Sequence, residues 1–171
     1  GMVLSSQKNS WMVENCRFIT GLVQGKANSP SQTACVGGIA GYGEFINQCV
    51  ADGNVRAEGS YTRVGGITGI CYDDISQCVS TSWVTAIAEE EGYDFPKAAA
   101  GGLVGYWMGG DSEKSYANGC KVSATMTDAT EETLAGNVIG YRSSSGYTTK
   151  NCYYSNVTIE RNSTNCINII V

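Results

Sequence analysis

Short runs of Val, Ile, Thr and Tyr, broken every few residues by Gly, Asn and Ser, extend along almost the whole chain. Runs of β-branched and aromatic residues between such breakers predict short strands joined by tight turns, an all-β chain. One stretch departs from this pattern. Thr85 to Ala100 contains Ala86, Ile87, Ala88, Glu89, Glu90, Glu91 and Lys97, but Gly92 and Pro96 interrupt it. It reads as a long loop with at most one helical turn.

The runs themselves recur. Val36-Gly37-Gly38-Ile39-Ala40-Gly41, Val64-Gly65-Gly66-Ile67-Thr68-Gly69, Ala100-Gly101-Gly102-Leu103-Val104-Gly105 and Ala135-Gly136-Asn137-Val138-Ile139-Gly140 align without gaps, with their second residues 28, 36 and 35 positions apart. A second motif follows each copy. Ile46-Asn47-Gln48-Cys49-Val50 is echoed by Ile75-Ser76-Gln77-Cys78-Val79, and more loosely by the segments starting at Ser115 and Asn151; Val13-Glu14-Asn15-Cys16-Arg17 precedes them all. Self-similarity at a period of about 20 to 50 residues is the signature of a stacked-repeat architecture.

The pattern G-G-[LIV]-x-G, a variable stretch, then [SC]-x-x-x-G-x-V resembles the GLUG repeat, a module of large bacterial surface and secreted proteins. Those include some immunoglobulin-A-cleaving peptidases and adhesin-like proteins of gut bacteria. The likeness runs from about Val13 to Val157. It departs from the pattern at Asn137, which stands where the second Gly belongs, and at Cys49, Cys78 and Cys152, which stand where Ser is usual. The resemblance implies an exported bacterial protein, at the cell surface or outside the cell.

A unit of about 30 residues made of strands and turns is too short for a four-stranded propeller blade, and the Leu ladder of leucine-rich repeats is absent. The expected fold is a single-stranded parallel β-helix (β-solenoid) of about four and a half coils, wound right-handed by extension of the rule for parallel crossovers. The whole of 1–171 reads as one domain, with units near 11–35, 36–63, 64–99, 100–134 and 135–171. Ile39, Ile67, Leu103 and Val138 then form one internal ladder, and Val55, Val84, Val122 and Val157 a second. The flanking glycines serve conformations or close approaches that a Cβ would block.

Eight cysteines invite a disulfide framework. Cys16, Cys49 and Cys78 occupy the same place in consecutive units, however, so their Cβ vectors are parallel, a poor geometry for bridging. They are expected to form a reduced, buried thiol stack. Cys35, Cys71, Cys120 and Cys166 are not placed by the repeat, and a bridge among them stays open. With no histidine and no C-x-x-C, a zinc site is not expected, nor is any other metal or cofactor.

The absence of histidine also removes Ser-His-Asp, Cys-His and H-E-x-x-H chemistry. Carboxylates remain: Asp73-Asp74, Glu89-Glu90-Glu91 with Asp94, Asp111 with Glu113, and Asp128 with Glu131-Glu132. All fall in turns or insertions, and the expectation is that the repeat aligns none of them on one face of adjacent coils. With 11 basic against 16 acidic residues and no basic run, nucleic acid is not an expected partner. No apolar segment reaches the length of a membrane span.

Aromatic residues supply the candidate binding feature. Tyr42, Tyr106 and Tyr141 follow the last Gly of three repeats, Ile70 takes that place in the fourth, and Trp107 lies beside Tyr106. Facing outward, Tyr42, Tyr106, Trp107 and Tyr141 would make a strip suited to a sugar ring or a protein; facing inward, they only brace the stack. The first unit is a half unit and the last residues, Ile167 to Val171, form an uncapped apolar run, so the expectation is a piece of a longer exported chain. The expected function is a non-catalytic surface module, a spacer or adhesin-like segment that binds host protein or glycan and carries other domains of the same chain. The alternatives are a carbohydrate-active β-helix enzyme and an accessory region of a secreted peptidase.

Overall fold

A computed structural model describes residues 5–7, 10–89, 97–126, 133–143, 149–150, 152–161 and 166–169. These residues form strands and turns, with no helix among them, and the strands assemble into four sheets. The first sheet holds Ser10–Glu14, Phe45–Asn47, Ile75–Ser76, Ser112–Glu113 and Thr149–Lys150, with Ser5–Gln7 at its edge. The second holds Arg17–Lys26 and Val50–Gly59, then the split pairs Val79–Ser80 with Trp83–Ala88, Tyr116–Asn118 with Lys121–Met126, and Tyr153–Ser155 with Thr158–Arg161. The third holds Thr33–Gly37, Tyr61–Gly65, Ala98–Gly101, Thr133–Gly136 and Cys166–Ile169; the fourth holds Ala40–Gly43, Thr68–Cys71, Val104–Trp107 and Ile139–Arg142.

The chain visits the sheets in a fixed order, and each pass pairs in parallel with the one before. Among the described strands only Ser5–Gln7 runs antiparallel to its neighbour. The sequence motifs coincide with the registers: Gly37, Gly65, Gly101 and Gly136 are ladder partners in the third sheet. Ile39, Ile67, Leu103 and Val138 stack through backbone N–H donors at 2.9 to 3.0 Å, and all four are buried. Each such side chain contributes about 1.5–3 kcal/mol by leaving water.

Two expectations change. The second ladder runs Val55, Val84, Val122 and then Ile159, not Val157. The corners after Tyr116–Asn118 and Tyr153–Ser155 are equivalent, each turning at a residue of positive φ, Gly119 at 64° and Asn156 at 53°, so Val157 stands at the place of Cys120; it is left partly buried beside the core. The second change concerns Thr85 to Ala100. Its first residues continue the strand Trp83–Ala88, between Val50–Gly59 and Lys121–Met126, and Ala98–Gly101 is again a strand. Val84, Ala86 and Ala88 alternate inward, so ladder pairing and burial override the helical preference of alanine and glutamate. Residues 90–96 lie outside the described residues, as does the acidic cluster of Glu90, Glu91 and Asp94.

One corner geometry recurs between the first and second sheets. Asn15, Gln48, Gln77 and Lys114 all turn the chain at φ between 51° and 55°. The left-handed conformation costs a residue with a Cβ on the order of 1 kcal/mol, and the next side chain offsets it. Cys16, Cys49 and Cys78 each donate Sγ–H to the carbonyl two residues back, at 3.3, 3.2 and 3.2 Å, and Ser115 does the same through Oγ at 3.1 Å. Cys and Ser exchange in the repeat because both can donate there. Outside the corner, Gln48 Nε2 donates to Gln77 Oε1 at 3.3 Å.

The third glycine of each motif serves a close approach between backbones. A Cβ on Gly140 would fall 2.7 Å from the Ala100 carbonyl, and one on Gly69 would fall 2.6 Å from the Val36 nitrogen. Strands of the third and fourth sheets therefore meet backbone to backbone, and any side chain there would part them.

Candidate functional site

The aromatic column exists as a register. Tyr42, Ile70, Tyr106 and Tyr141 are successive ladder partners in the fourth sheet. The column does not form a uniformly exposed strip. Tyr106 and Tyr141 are half-buried and stack on each other with centroids 5.0 Å apart. Arg63, itself buried, lies 5.3 Å from the Tyr106 ring centroid. Tyr42 is 52% exposed. It stacks on Tyr72 at 6.0 Å, and its hydroxyl accepts from Cys35 Sγ at 3.3 Å. That bond, with burial, raises the phenol to about 12. Tyr42, Gly43, Glu44 and Tyr72 line a cleft of about 220 Å³.

Trp107 leaves the strip altogether. It is 1% exposed, its indole N–H donates to the Asp73 carbonyl at 3.0 Å, and Arg142 lies 5.1 Å from its ring centroid. Val104 and Trp107 both face the core with Gly105 between them, so simple alternation fails at the glycine. Adjacent strand residues face opposite sides, so Trp107 cannot share the outward side of Tyr106, and the expected strip holding both does not form.

The acidic corner is better assembled than its sequence suggested. Ile75 pairs with Ser112, so Asp74 and Asp111 occupy equivalent places in adjacent passes, contrary to the expectation that no carboxylates align. Asp74 Oδ1 accepts the Asp111 backbone N–H at 2.7 Å. The Asp73 carboxyl is raised above its ordinary range, first by burial and then by Asp74, Glu44 and Asp111. Among the described residues no group of three or more His, Cys, Asp or Glu is arranged to hold a metal. Glu113 is half-buried and its carboxylate meets Lys114 at 3.6 Å. Asp128, Glu131 and Glu132 lie outside the described residues.

The thiols of Cys16, Cys35, Cys49, Cys71, Cys78, Cys120 and Cys152 are free. Cys49 and Cys78 are fully buried. Cys78 is held above the ordinary thiol range by its hydrogen bond to Cys49 and then by burial. Burial raises Cys71 to about 12 and also raises Cys35 and Cys120. A protonated, buried thiol is a poor nucleophile, so Cys71, Cys78 and Cys120 act as packing and hydrogen-bond donors, whereas the hydrogen bond from Cys78 lowers Cys49 to about 7 and only its burial shields it.

The sequence reading passed over the outer face of the second sheet. Trp83 pairs with Asn54 below and Lys121 above, and its ring is 58% exposed. Asp52, Asn54, Thr81 and Trp83 line an open groove of about 380 Å³. The signal was available: Trp83 directly precedes the inward Val84, so strand alternation turns it out. No helix among the described residues is long and apolar enough to cross a membrane. No family model, no curated protein and no solved structure matches the chain.

Proposed function

We propose that the chain is a GLUG-like parallel β-helix, wound right-handed, which serves as a non-catalytic spacer and ligand-presenting module of a secreted or surface-attached bacterial protein. The observation that carries this reading is the fixed order in which the chain visits four sheets, each pass in register with the last. Such a stack advances about 4.8 Å per pass and is stiff along its axis because the strands of its inner passes are hydrogen-bonded on both sides. It repeats outward-facing positions at that spacing, which suits display of a weak, extended contact surface to host protein or glycan. Export follows from the repeat resemblance, as does the expectation of further domains in the same chain, including a secreted peptidase for which this region is accessory.

A second reading has one observation in its favour. Asp74 and Asp111 sit at equivalent corners beside Asp73, whose proton is held more tightly than usual, and paired carboxylates of unequal acidity are the equipment of glycoside-cleaving enzymes. Asp74 already takes a backbone N–H, and this favours a structural role for the corner. The test is to add labelled protein to mucin-coated and serum-protein-coated surfaces while following the size of pectins, glycosaminoglycans and mucin glycans in solution. The scaffold reading expects retention without cleavage; steady product formation overturns it.

A further inference from the structure

We infer that the outer face of the second sheet carries a saccharide site at Trp83, which takes a neutral hexose unit of a glycan. This deepens the scaffold reading and rests on it. The indole is more than half exposed on a strand whose alternate residues Val84, Ala86 and Ala88 are buried, so its position is fixed while its surface stays free. Lys121, from the pass above, lies 5.8 Å from the ring centroid and is drawn to Glu160 at 2.6 Å. The groove residues come from Trp83's own pass and the two passes below. The ring therefore stands between a cation on one side and an open groove on the other.

The groove has the chemistry of a sugar subsite. It is an open, shallow groove of about 380 Å³, suited to a sugar laid along the surface rather than enclosed. An indole face is electron-rich and attracts the C–H face of a pyranose ring, which carries partial positive charge. Asn54 can donate and accept, Thr81 can do both through one hydroxyl, and Asp52 can accept from two hydroxyls. Asp52 and Asn54 are exposed and stand two residues apart on one strand, about 6–7 Å, a span that reaches hydroxyls on opposite sides of one hexose ring. Gly53 lies between them in the same groove. The carboxylate of Asp52 opposes uronates, sialic acids and sulfated sugars, so the ligand is neutral.

The wall of the groove is a backbone irregularity. Thr20 adopts φ 59° and Gly21 φ 122°, and the register against Val50–Gly59 slips between Ile19 and Leu22. A β-branched residue in the left-handed region is a genuine outlier, and such strain concentrates at binding sites. Here it places Thr20 and Gly21 on the rim of the groove.

The experiment is a titration of the 171-residue chain with cellopentaose, laminaripentaose, mannopentaose and chitotetraose, followed by amide chemical shifts and calorimetry, with a heparin oligosaccharide as the anionic control. At least one neutral oligosaccharide is expected to bind, with shifts centred on residues 20–21, 52–54 and 81–83, and heparin is expected not to. Trp83→Ala should weaken binding about tenfold or more, the loss typical of an aromatic anchor, and Asp52→Ala should weaken it several-fold, both without changing the melting temperature. Trp83→Phe, which keeps a ring, should retain most of the affinity. Absence of binding by all four neutral sugars up to about 10 mM, or full affinity in both alanine variants, overturns the site. Retention on mucin that survives Trp83→Ala rejects this site and leaves the scaffold reading intact, whereas cleavage of any probe rejects the scaffold reading itself.

Discussion

Arg63 holds its guanidinium 5.3 Å from the centre of the Tyr106 ring, and the pair closes the outer face of the third sheet. The arginine is only 7% exposed, and its Nη1 donates to the carbonyls of Thr62 at 2.9 Å and Lys97 at 3.1 Å. A charge so far removed from water is tolerated because carbonyls and an aromatic face replace its hydration. Tyr106 thus covers a cation of its own chain, and the aromatic column is at this point a lid over structure.

Truncating Tyr106 to Ala should therefore lower stability by about 2 kcal/mol or more, since it opens a cavity and exposes the guanidinium to a wet void. Truncating Tyr42, which is half exposed, should cost under about 1 kcal/mol. Urea unfolding with an unchanged m-value checks both. Equal losses at the two positions would place Tyr106 outside the covering layer.

Leu103→Ala should cost about 2–5 kcal/mol, because its neighbours in the ladder, Ile67 and Val138, are held by their own backbone bonds and cannot collapse into the gap. Gln24→Ala, on the exposed side of Arg17–Lys26, should cost under about 0.5 kcal/mol. The comparison is made by denaturant titration of both variants side by side.

The glycine and aliphatic positions were readable in the sequence because the repeat aligns residues that the sheets then pair. Gly37, Gly65, Gly101 and Gly136, and Tyr42 with Ile70, Tyr106 and Tyr141, are registers that letter-by-letter alignment can find. What alignment misses depends on where a corner turns and on side. The corner that turns at Asn156 matches the one that turns at Gly119, which puts Val157 level with Cys120 and Ile159 level with Val122. Trp107 turns inward because it directly follows Tyr106 on the strand, and neighbours there face opposite sides. Asp74 and Asp111 come together because the corner before the first sheet is itself in register, which the acidic residues alone do not announce. The Cys and Ser exchange looked like a choice of small side chains, and its hydrogen-bond meaning needs the left-handed residue that precedes it.

Cys49 tests that meaning. Cys49→Ser keeps a donor for the Asn47 carbonyl and should be nearly neutral, whereas Cys49→Val fills the volume but leaves that carbonyl with the Asn15 N–H alone, at a cost of about 0.5–1.5 kcal/mol. In the native protein Cys49, Cys71, Cys78 and Cys120 should resist alkylation and react only after denaturation, because all four are buried. A Cys49–Cys78 bridge found by peptide mapping without reductant would contradict the free thiols seen here.

Gly140→Ala asks whether the contact between the third and fourth sheets is as close as it looks. Its Cβ would meet the Ala100 carbonyl at 2.7 Å, and both partners are backbone atoms held in ladders. Overpacking of this kind costs about 1–3 kcal/mol where side chains can shift, and more where they cannot. The expected result is a loss at the upper end of that range or failure to accumulate folded protein. Wild-type stability in Gly140→Ala would show that the two strands can separate.

The acidic corner makes a prediction that separates structural strain from catalysis. Asp73 has a folded-state pKa raised above its unfolded value, first by burial and then by Asp74, Glu44 and Asp111. The sign follows from linkage: the folded state binds more protons than the unfolded state across the window between the two values, so the favourable contribution is full below the unfolded pKa. It is lost as pH rises through the folded pKa. Burial and the neighbouring Asp74, Glu44 and Asp111 oppose the ionised form of Asp73, so Asp73→Asn should raise the melting temperature at pH 7 and reduce its rise on acidification from pH 7 to pH 4.5. Thermal melts of the two proteins at the two pH values measure this directly. If the corner is structural, the stabilised variant behaves like wild type on every glycan, with and without calcium. If instead a glycan is cleaved and Asp73→Asn gains stability while losing that turnover, the corner is an active site held under strain and the scaffold reading fails.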